Sequence, residues 1–215
     1  MNNRANILII DDDRALSAAI ADALVLHGYY VDTVALGRAG LDRLGKHPVD
    51  VVIVDVGLPD ISGMDLLTAI KAASSATEVL VITGKATLSI AIEAGRGSAF
   101  AYLAKPFGKE QLVATVEKAI ERKRLLEALQ ESEGTLRALI DASPLAIVAL
   151  DGIGNIKVWN EAATRMFGWS AEEIVGRALP TIPDDRADEF ATALDRNRHG
   201  EATSTKPSGS GRTDR

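Results

Sequence analysis

Short apolar runs alternate with amphipathic stretches along the first half of the chain. After the first run, Leu16, Ile20 and Leu24 recur at helical spacing, and Gly28 follows as a helix stop signal. Runs such as residues 51–54 are apolar on both faces, which is typical of a parallel strand covered by helices on each side. The pattern predicts an α/β domain with a doubly wound, five-stranded parallel sheet. The predicted strands are Ile7–Ile10, Tyr30–Val34, Val51–Val54, Val79–Ile82 and Phe100–Leu103.

From Lys109 the pattern is helical and unusually long. Its first turns carry apolar residues at a spacing that can pack on the sheet, so we place the end of the first domain at residue 122. Residues 123–141 then read as a helical connector with a short heptad seam, for which a coiled coil is the preferred interpretation and a single solvated helix the alternative. Gly134 weakens this helix by ~1 kcal/mol relative to alanine. The seam consists of Leu125, Leu129, Ser132, Leu136 and Leu139.

A second, smaller α+β region is predicted over residues 142–202. Two strands, Leu145–Leu150 and Ile156–Trp159, flank a glycine-containing turn. Ser170 and Glu173 have the spacing of a capping box. Residues 203–215 contain no large apolar residue, and we predict that they are disordered. The predicted helices of the region are Glu161–Phe167, Ala171–Val175 and Asp185–Asn197.

Composition narrows the classes of function. The chain of 215 residues is 47% hydrophobic and 25% charged, with a net charge of -6, which is ordinary for a globular protein. It has no cysteine, which excludes disulfides, thiolate metal sites and cysteine nucleophiles. Its apolar runs are far shorter than the ~18 residues of a membrane span, and its first residues do not form a secretory signal. We therefore expect a cytoplasmic protein with no membrane partner. Because the sequence shows neither a basic face nor a helix-turn-helix, we also expect no DNA-binding domain.

Acidic residues stand where two of the predicted strands end. Asp11, Asp12 and Asp13 follow the first strand, and Asp55 follows the third. In a sheet of order 2-1-3-4-5, these two strands flank the point where ligands bind at the carboxyl ends, so Asp11, Asp12 and Asp55 would surround one crevice. Clustered carboxylates repel one another unless a cation offsets them, and oxygen ligands of this kind suit Mg²⁺.

The fourth and fifth strands end near a hydroxyl and an ammonium group. Thr83 and Lys105 would face the same edge as the carboxylates. Three carboxylates, one Mg²⁺ and one lysine sum to zero charge. Such a site suits a transferring phosphoryl group, because the metal and the lysine hold its oxygens while a carboxylate attacks in line.

These residues resemble the receiver domain of two-component response regulators, which has a flavodoxin-like fold. The matching segments are residues 7–13, 50–59, 79–84 and 102–107. The resemblance implies that Asp55 is the phosphoacceptor. It also implies that Asp12, Asp55 and the Gly57 carbonyl bind Mg²⁺, while Asp11 acts through a bound water.

The same resemblance implies a switch and a partner. Thr83 and Tyr102 would be the switch pair, Lys105 would bridge to the phosphoryl oxygens, and the bond from Lys105 to Pro106 would be cis. The phosphoryl donor would be a sensor histidine kinase, a histidine phosphotransfer protein or a small acyl phosphate. We expect no enzyme activity beyond the domain's own phosphorylation and dephosphorylation, and we expect that a homodimer can form through the connector.

The second region resembles the start of a PAS sensor domain. The resemblance runs from residue 135 to about 200 and rests on segments 139–151, 156–163 and 166–176. A PAS fold closes its sheet with three further strands, for which residues 203–215 supply no apolar alternation. We therefore expect a partial PAS domain, so that the sequence reads as a fragment or a truncated product.

Two alternatives from other classes stay open. A phosphatase of the haloacid dehalogenase type also uses a strand-end Asp-x-Asp, which Asp11 and Asp13 fit, although Ala15 stands where that family has threonine or valine. The second alternative is a protein-interaction module that is never phosphorylated and keeps the site as scaffold.

Overall fold

The chain divides into two compact units, Met1–Leu129 and Gln130–Arg215. The structure is a computed structural model that describes residues 4–84 and 99–178. The predicted helix Asp185–Asn197, the predicted tail 203–215 and the question of further PAS strands there lie outside the described residues.

Five parallel strands form a sheet in the described part of the first unit. They are β1 (Asn6–Ile10), β2 (Tyr30–Val34), β3 (Val51–Asp55), β4 (Glu78–Gly84) and β5 (Ala101–Lys105). Their order in the sheet, β2-β1-β3-β4-β5, confirms the predicted doubly wound topology. The last two strands extend further than the apolar runs indicate, so that Thr83 and Lys105 lie within them.

Both faces of the sheet are covered, which explains the continuous apolar runs. Ile9 and Ile53 belong to a core on one face, and Leu8 and Val52 belong to a core on the other, because successive side chains of a strand point to opposite faces. The described helices of this part of the chain are α1 (Arg14–Leu26), α2 (Gly37–Leu44), α3 (Gly63–Ala73) and α4 (Lys109–Ala142). The first core includes residues of α1 and α4, and the second includes residues of α2 and α3.

Helix α4 is continuous over 34 residues and passes through Gly134 without a break. Its first three turns bury Leu112, Val116 and Ile120 against the sheet. The leucines of the heptad seam are each more than half exposed. Among the described residues, no helix is long and apolar enough to cross a membrane.

Up to residue 178, where the described part of the second unit ends, the chain after α4 forms a two-stranded antiparallel sheet and two short helices. Trp159, Ile156, Ala163 and Ile174 form its small core. After the helix that ends at Ile174, Ala178 forms an antiparallel bridge to Asn155, so the chain runs beside the start of the strand Ile156–Trp159. The elements are β6 (Val148–Leu150), β7 (Ile156–Trp159), α5 (Glu161–Phe167) and α6 (Ala171–Ile174).

Strand β6 is shorter than the apolar run that predicts it. The backbone of the residues before it bonds to Asn160 instead of to a neighbouring strand: the amide of Ile147 donates to Asn160 Oδ1, and Asn160 Nδ2 donates to the carbonyl of Leu145. Helix α6 ends one residue before the predicted end, and its capping box of Ser170 and Glu173 is present as predicted.

Candidate functional site

Three carboxylates meet at the carboxyl edge of the sheet. Asp11 directly follows β1, Asp12 is the next residue, and Asp55 is the last residue of β3. Each offers an oxygen atom, and these three oxygens lie within 4.8 Å of one another. The parallel pairing of β1 with β3 produces this convergence, because the two strands end side by side.

Asp11 is the buried member of the cluster. Its Oδ1 accepts a hydrogen bond from the backbone amide of Asp13 at 2.9 Å, and its Oδ2 accepts one from Lys105 Nζ at 3.0 Å. Burial raises the pKa of Asp11 above its ordinary value, although the hydrogen bonds from Asp13 and Lys105 act in the opposite direction. A site that disfavours the charge of a carboxylate in this way is stabilised by an added cation.

Lys105 joins the cluster from the end of β5. Its Nζ lies 3.2 Å from Asp55 Oδ1 and 3.0 Å from Asp11 Oδ2, so one ammonium group bridges two strand ends. Burial lowers the pKa of Lys105, but the hydrogen bond to Asp11 and the charges of Asp55 and Asp11 outweigh burial and raise the pKa overall. The ammonium therefore stays charged at neutral pH. The bond from Lys105 to Pro106 is cis, as the resemblance implies.

Asp13 stands apart from the other acidic residues. Its Oδ1 accepts hydrogen bonds from the backbone amides of Ala15 and Leu16, both at 3.0 Å, and so caps the amino end of α1. The structure therefore brings Asp11, Asp12 and Asp55 together but gives Asp13 a helix-capping role. This arrangement does not favour the Asp-x-Asp pair that a haloacid dehalogenase would need.

The remaining predicted residues surround the cluster. Thr83 is buried near the end of β4, and the partly buried ring of Tyr102 packs on the core that includes Val81. Val81 and Thr83 are two residues apart on one strand, so Thr83 and Tyr102 face the same side of the sheet. Gly57 is exposed, and a Cβ placed on it would lie 3.3 Å from Asp55 Oδ2.

The donor set fits a divalent cation. Carboxylate oxygens are the ligands that Mg²⁺ prefers, and the exposure of Asp12 leaves room for water ligands on the solvent side. The oxygens of Asp11, Asp12 and Asp55 lie close enough together to share one ion. Lys105 adds a positive charge beside Asp55, so an anionic group bound at Asp55 would be attracted by the ammonium as well as by the ion.

The sequence did not single out two residues that shape the site. A Cβ at Gly63 would lie 2.7 Å from Val56 Cα and 2.9 Å from the carbonyl oxygen of Asp55, so glycine lets α3 begin directly against the segment after β3. Ser17 is buried on α1, and its hydroxyl donates to the carbonyl of Asp11 at 3.4 Å. In the sequence, Gly63 is marked only by its place directly after Ser62, the residue that caps α3.

A family model for the response regulator receiver domain matches residues 7–117, which is just over half of the chain. The chain belongs to the response regulator receiver family. A model for the PAS fold matches residues 134–213, so a PAS domain follows the receiver domain. Receiver domains are signalling modules of two-component systems, not classical enzymes, and they typically bind Mg²⁺ at an acidic pocket.

Individual relatives match the receiver domain. The transcriptional regulatory protein KdpE of Mycobacterium tuberculosis is 34% identical over 125 residues, which is 58% of this chain and 55% of KdpE. The crystal structure of a response regulator receiver domain protein from Clostridium thermocellum is 37% identical, with a TM-score of 0.54, and the match covers 57% of this chain and 98% of that one. The beryllofluoride-activated NtrC4 receiver domain dimer is 29% identical, with a TM-score of 0.52, over 55% of this chain and 98% of that one. The chain spans about half the length of curated relatives such as KdpE.

Proposed function

We propose that this receiver domain accepts a phosphoryl group on Asp55 from the phosphohistidine of a sensor histidine kinase or a histidine phosphotransfer protein. A small acyl phosphate can serve as an alternative donor. The transfer depends on Mg²⁺ held by Asp12, Asp55 and the carbonyl of Gly57, with Asp11 acting through a bound water.

One observation carries this proposal. Asp55 shares its ammonium partner, Lys105, with the buried Asp11, and one of its oxygens lies within 4.8 Å of an oxygen of Asp11 and an oxygen of Asp12. A carboxylate that only forms a surface ion pair does not need two further carboxylates beside it. Three carboxylates and a lysine at the ends of three parallel strands are what a site for a dianionic phosphoryl group and a divalent cation requires.

The chemistry follows from the positions of the side chains. An oxygen of Asp55 attacks phosphorus, the bond from phosphorus to the histidine nitrogen breaks, and the imidazole leaves with the bonding electrons. Lys105 then holds a phosphoryl oxygen while staying close to Asp55. When bound, Mg²⁺ neutralises charge on the carboxylates and on the transferring group.

The response to phosphorylation passes through Thr83 and Tyr102. The hydroxyl of Thr83 can donate to a new phosphoryl oxygen, and its movement changes the space beside the ring of Tyr102, which faces the same side of the sheet. We assign residues 1–122 to the receiver domain, 123–141 to the helical connector and 142–202 to a partial PAS domain. The conformational change would reach the PAS region through the connector, with a coupling of ~1–3 kcal/mol.

Mass spectrometry of the intact chain after treatment with acetyl phosphate and Mg²⁺ tests the assignment. We expect one added phosphoryl group, mapped to the peptide that contains Asp55 and absent from Asp55→Asn. Asp13→Asn is the matched control, because asparagine also caps helices and Asp13 lies outside the cluster. Labelling that survives Asp55→Asn but is lost in Asp11→Asn would favour the phosphatase, and no labelling at all would favour an interaction module that is never phosphorylated.

A homodimer through the connector is the second part of the proposal. The seam leucines 125, 129, 136 and 139 are each more than half exposed on α4. Together with Ser132 they have the 4-3-4-3 spacing of a coiled coil. Sedimentation of the full chain, with and without beryllofluoride and Mg²⁺, measures the dimer affinity. We expect the phosphoryl mimic to shift this affinity, and we expect Leu129→Glu to abolish the dimer and Thr83→Ala to abolish the shift. An unchanged sedimentation profile at every concentration, with the mimic bound, would exclude the seam as the output.

A further inference from the structure

Helix α2 begins without a cap of its own. Its N-cap residue is Leu36, whose side chain accepts no hydrogen bond, although the first amides of a helix need acceptors. Asp60 supplies them from another part of the chain: Oδ1 accepts from the amide of Gly37 at 2.9 Å and Oδ2 from the amide of Arg38 at 3.0 Å. These two hydrogen bonds lower the pKa of Asp60, so the group that caps the helix is a carboxylate.

Asp60 belongs to the β3–α3 loop, residues 56–62, which also contains Gly57. The loop packs tightly on the start of α2. A Cβ at Gly37 would lie 2.2 Å from Ile61 Cγ2 and 3.4 Å from Leu58 Cδ1, so the apolar residues on both sides of Asp60 rest on the bare backbone of α2. The carboxylate and the apolar contacts thus hold the same loop on the same helical turn.

The loop is fixed at its two ends as well. The amide of Val56 donates to the carbonyl of Ile82 in β4, and the amide of Gly63 donates to the carbonyl of Val56. Because Gly63 approaches Val56 so closely, the end of the loop cannot shift without moving the segment next to Asp55. Gly57 lies between Val56 and Asp60 in this loop and is exposed, and a Cβ placed on it would lie 3.3 Å from Asp55 Oδ2.

We propose that Asp60 is a positioning residue for the cation site. By binding the loop to α2, it holds the backbone of Gly57 and the carboxylate of Asp55 where they can ligate a divalent cation together. Without Asp60, cation binding would have to order the loop, and this cost would weaken the binding. The inference rests on the proposed function, because Asp60, which lies outside the acidic cluster, would support the binding of the cation that this function requires.

Titration of the full chain with Mg²⁺, by calorimetry and by the rate of labelling with acetyl phosphate, tests the role. We expect Asp60→Ala to raise the half-saturating concentration of Mg²⁺ on the order of 10-fold, the usual size of an outer-shell effect, and to leave the labelling rate at saturating Mg²⁺ unchanged. Asp60→Asn keeps one acceptor oxygen and should lie between Asp60→Ala and the parent. Asp42→Asn is the matched control, because it removes an exposed carboxylate from α2 itself and should leave the half-saturating concentration as it is.

Thermal unfolding of each variant separates positioning from simple helix capping. A cap alone would lower the melting temperature of Asp60→Ala and leave the affinity for Mg²⁺ at the parent value, and this result would overturn the inference. An affinity that falls equally in Asp42→Asn would also overturn it, because the effect would then be one of charge. If the parent chain itself neither binds Mg²⁺ nor is labelled, the proposed function fails, and the role of Asp60 fails with it.

Discussion

Asn160→Ala should lower the free energy of unfolding of the second unit by much more than the loss of an ordinary helix cap does. The side chain is fully buried. Its Oδ1 accepts from the amides of Ile147 and Ala163 at 2.9 Å and 3.0 Å, and its Nδ2 donates to the carbonyls of Ile140 and Leu145, both at 2.9 Å. These four bonds use the whole hydrogen-bonding capacity of an amide. One residue thereby holds the last turn of α4, the segment before β6 and the start of α5.

The expected loss follows from what alanine leaves behind. An N-cap is worth ~1 kcal/mol, and each buried polar group left without a partner costs about 1–3 kcal/mol. Because water can reach some of the four groups once the amide is gone, we expect a total loss of about 3–5 kcal/mol in the free energy of unfolding. With an m-value of ~1–2 kcal/mol per molar urea for so small a unit, the urea midpoint should fall by about 2 M or more.

Tryptophan fluorescence during urea unfolding isolates this unit. The two tryptophans of the chain, Trp159 and Trp169, both lie within it, and Trp159 is buried in its core. Ser170→Ala is the control, since Ser170 caps the neighbouring helix α6 through an exposed hydrogen bond whose loss should cost only ~1 kcal/mol. If Asn160→Ala is no more destabilising than Ser170→Ala, then Asn160 is only a cap, and the reasoning from its two donated bonds is wrong.

Three further predictions concern the receiver domain. Burial raises the pKa of Asp11, so the charged form of this carboxylate destabilises the metal-free fold above that pKa. We expect calorimetry in a chelator to show that Asp11→Asn is more stable than the parent at pH 7 and equally stable below about pH 4. A variant that is less stable than the parent at pH 7 would contradict this. Lys123 contacts Asp50 and is largely buried, so Lys123→Met should lower the free energy of unfolding by about 1–3 kcal/mol. If this loss disappears in high salt, the two residues behave as an exposed ion pair, and the reasoning from burial is wrong. The hydrogen bonds from Arg38 and Gly37 lower the pKa of Asp60, so the stabilisation by its carboxylate is present above the ordinary pKa and is lost as the pH falls through the lowered one. The difference in stability between Asp60→Asn and the parent should therefore be constant above about pH 5 and shrink below about pH 4. A difference that does not depend on pH would refute the capping role.

Local sequence patterns determined most of the architecture. The runs that are apolar on both faces specify buried parallel strands, and the observed β2, β7 and α5 have the predicted bounds. The members of the site could also be predicted, because the carboxyl ends of parallel strands lie along one edge of the sheet. For this reason Asp11, Asp55 and Lys105 could be assigned to one site before their distances were known.

Only the tertiary structure decided which polar groups satisfy one another. Nothing in the local pattern shows that Asp60 caps α2 across 22 and 23 residues of chain. The short β6 has the same origin, because the amide of Asn160 takes the backbone bonds that a longer strand would need. Hydrophobic periodicity is a property of neighbouring residues, whereas the partner of a buried donor or acceptor is set by how distant segments pack, and a single sequence does not record that pairing.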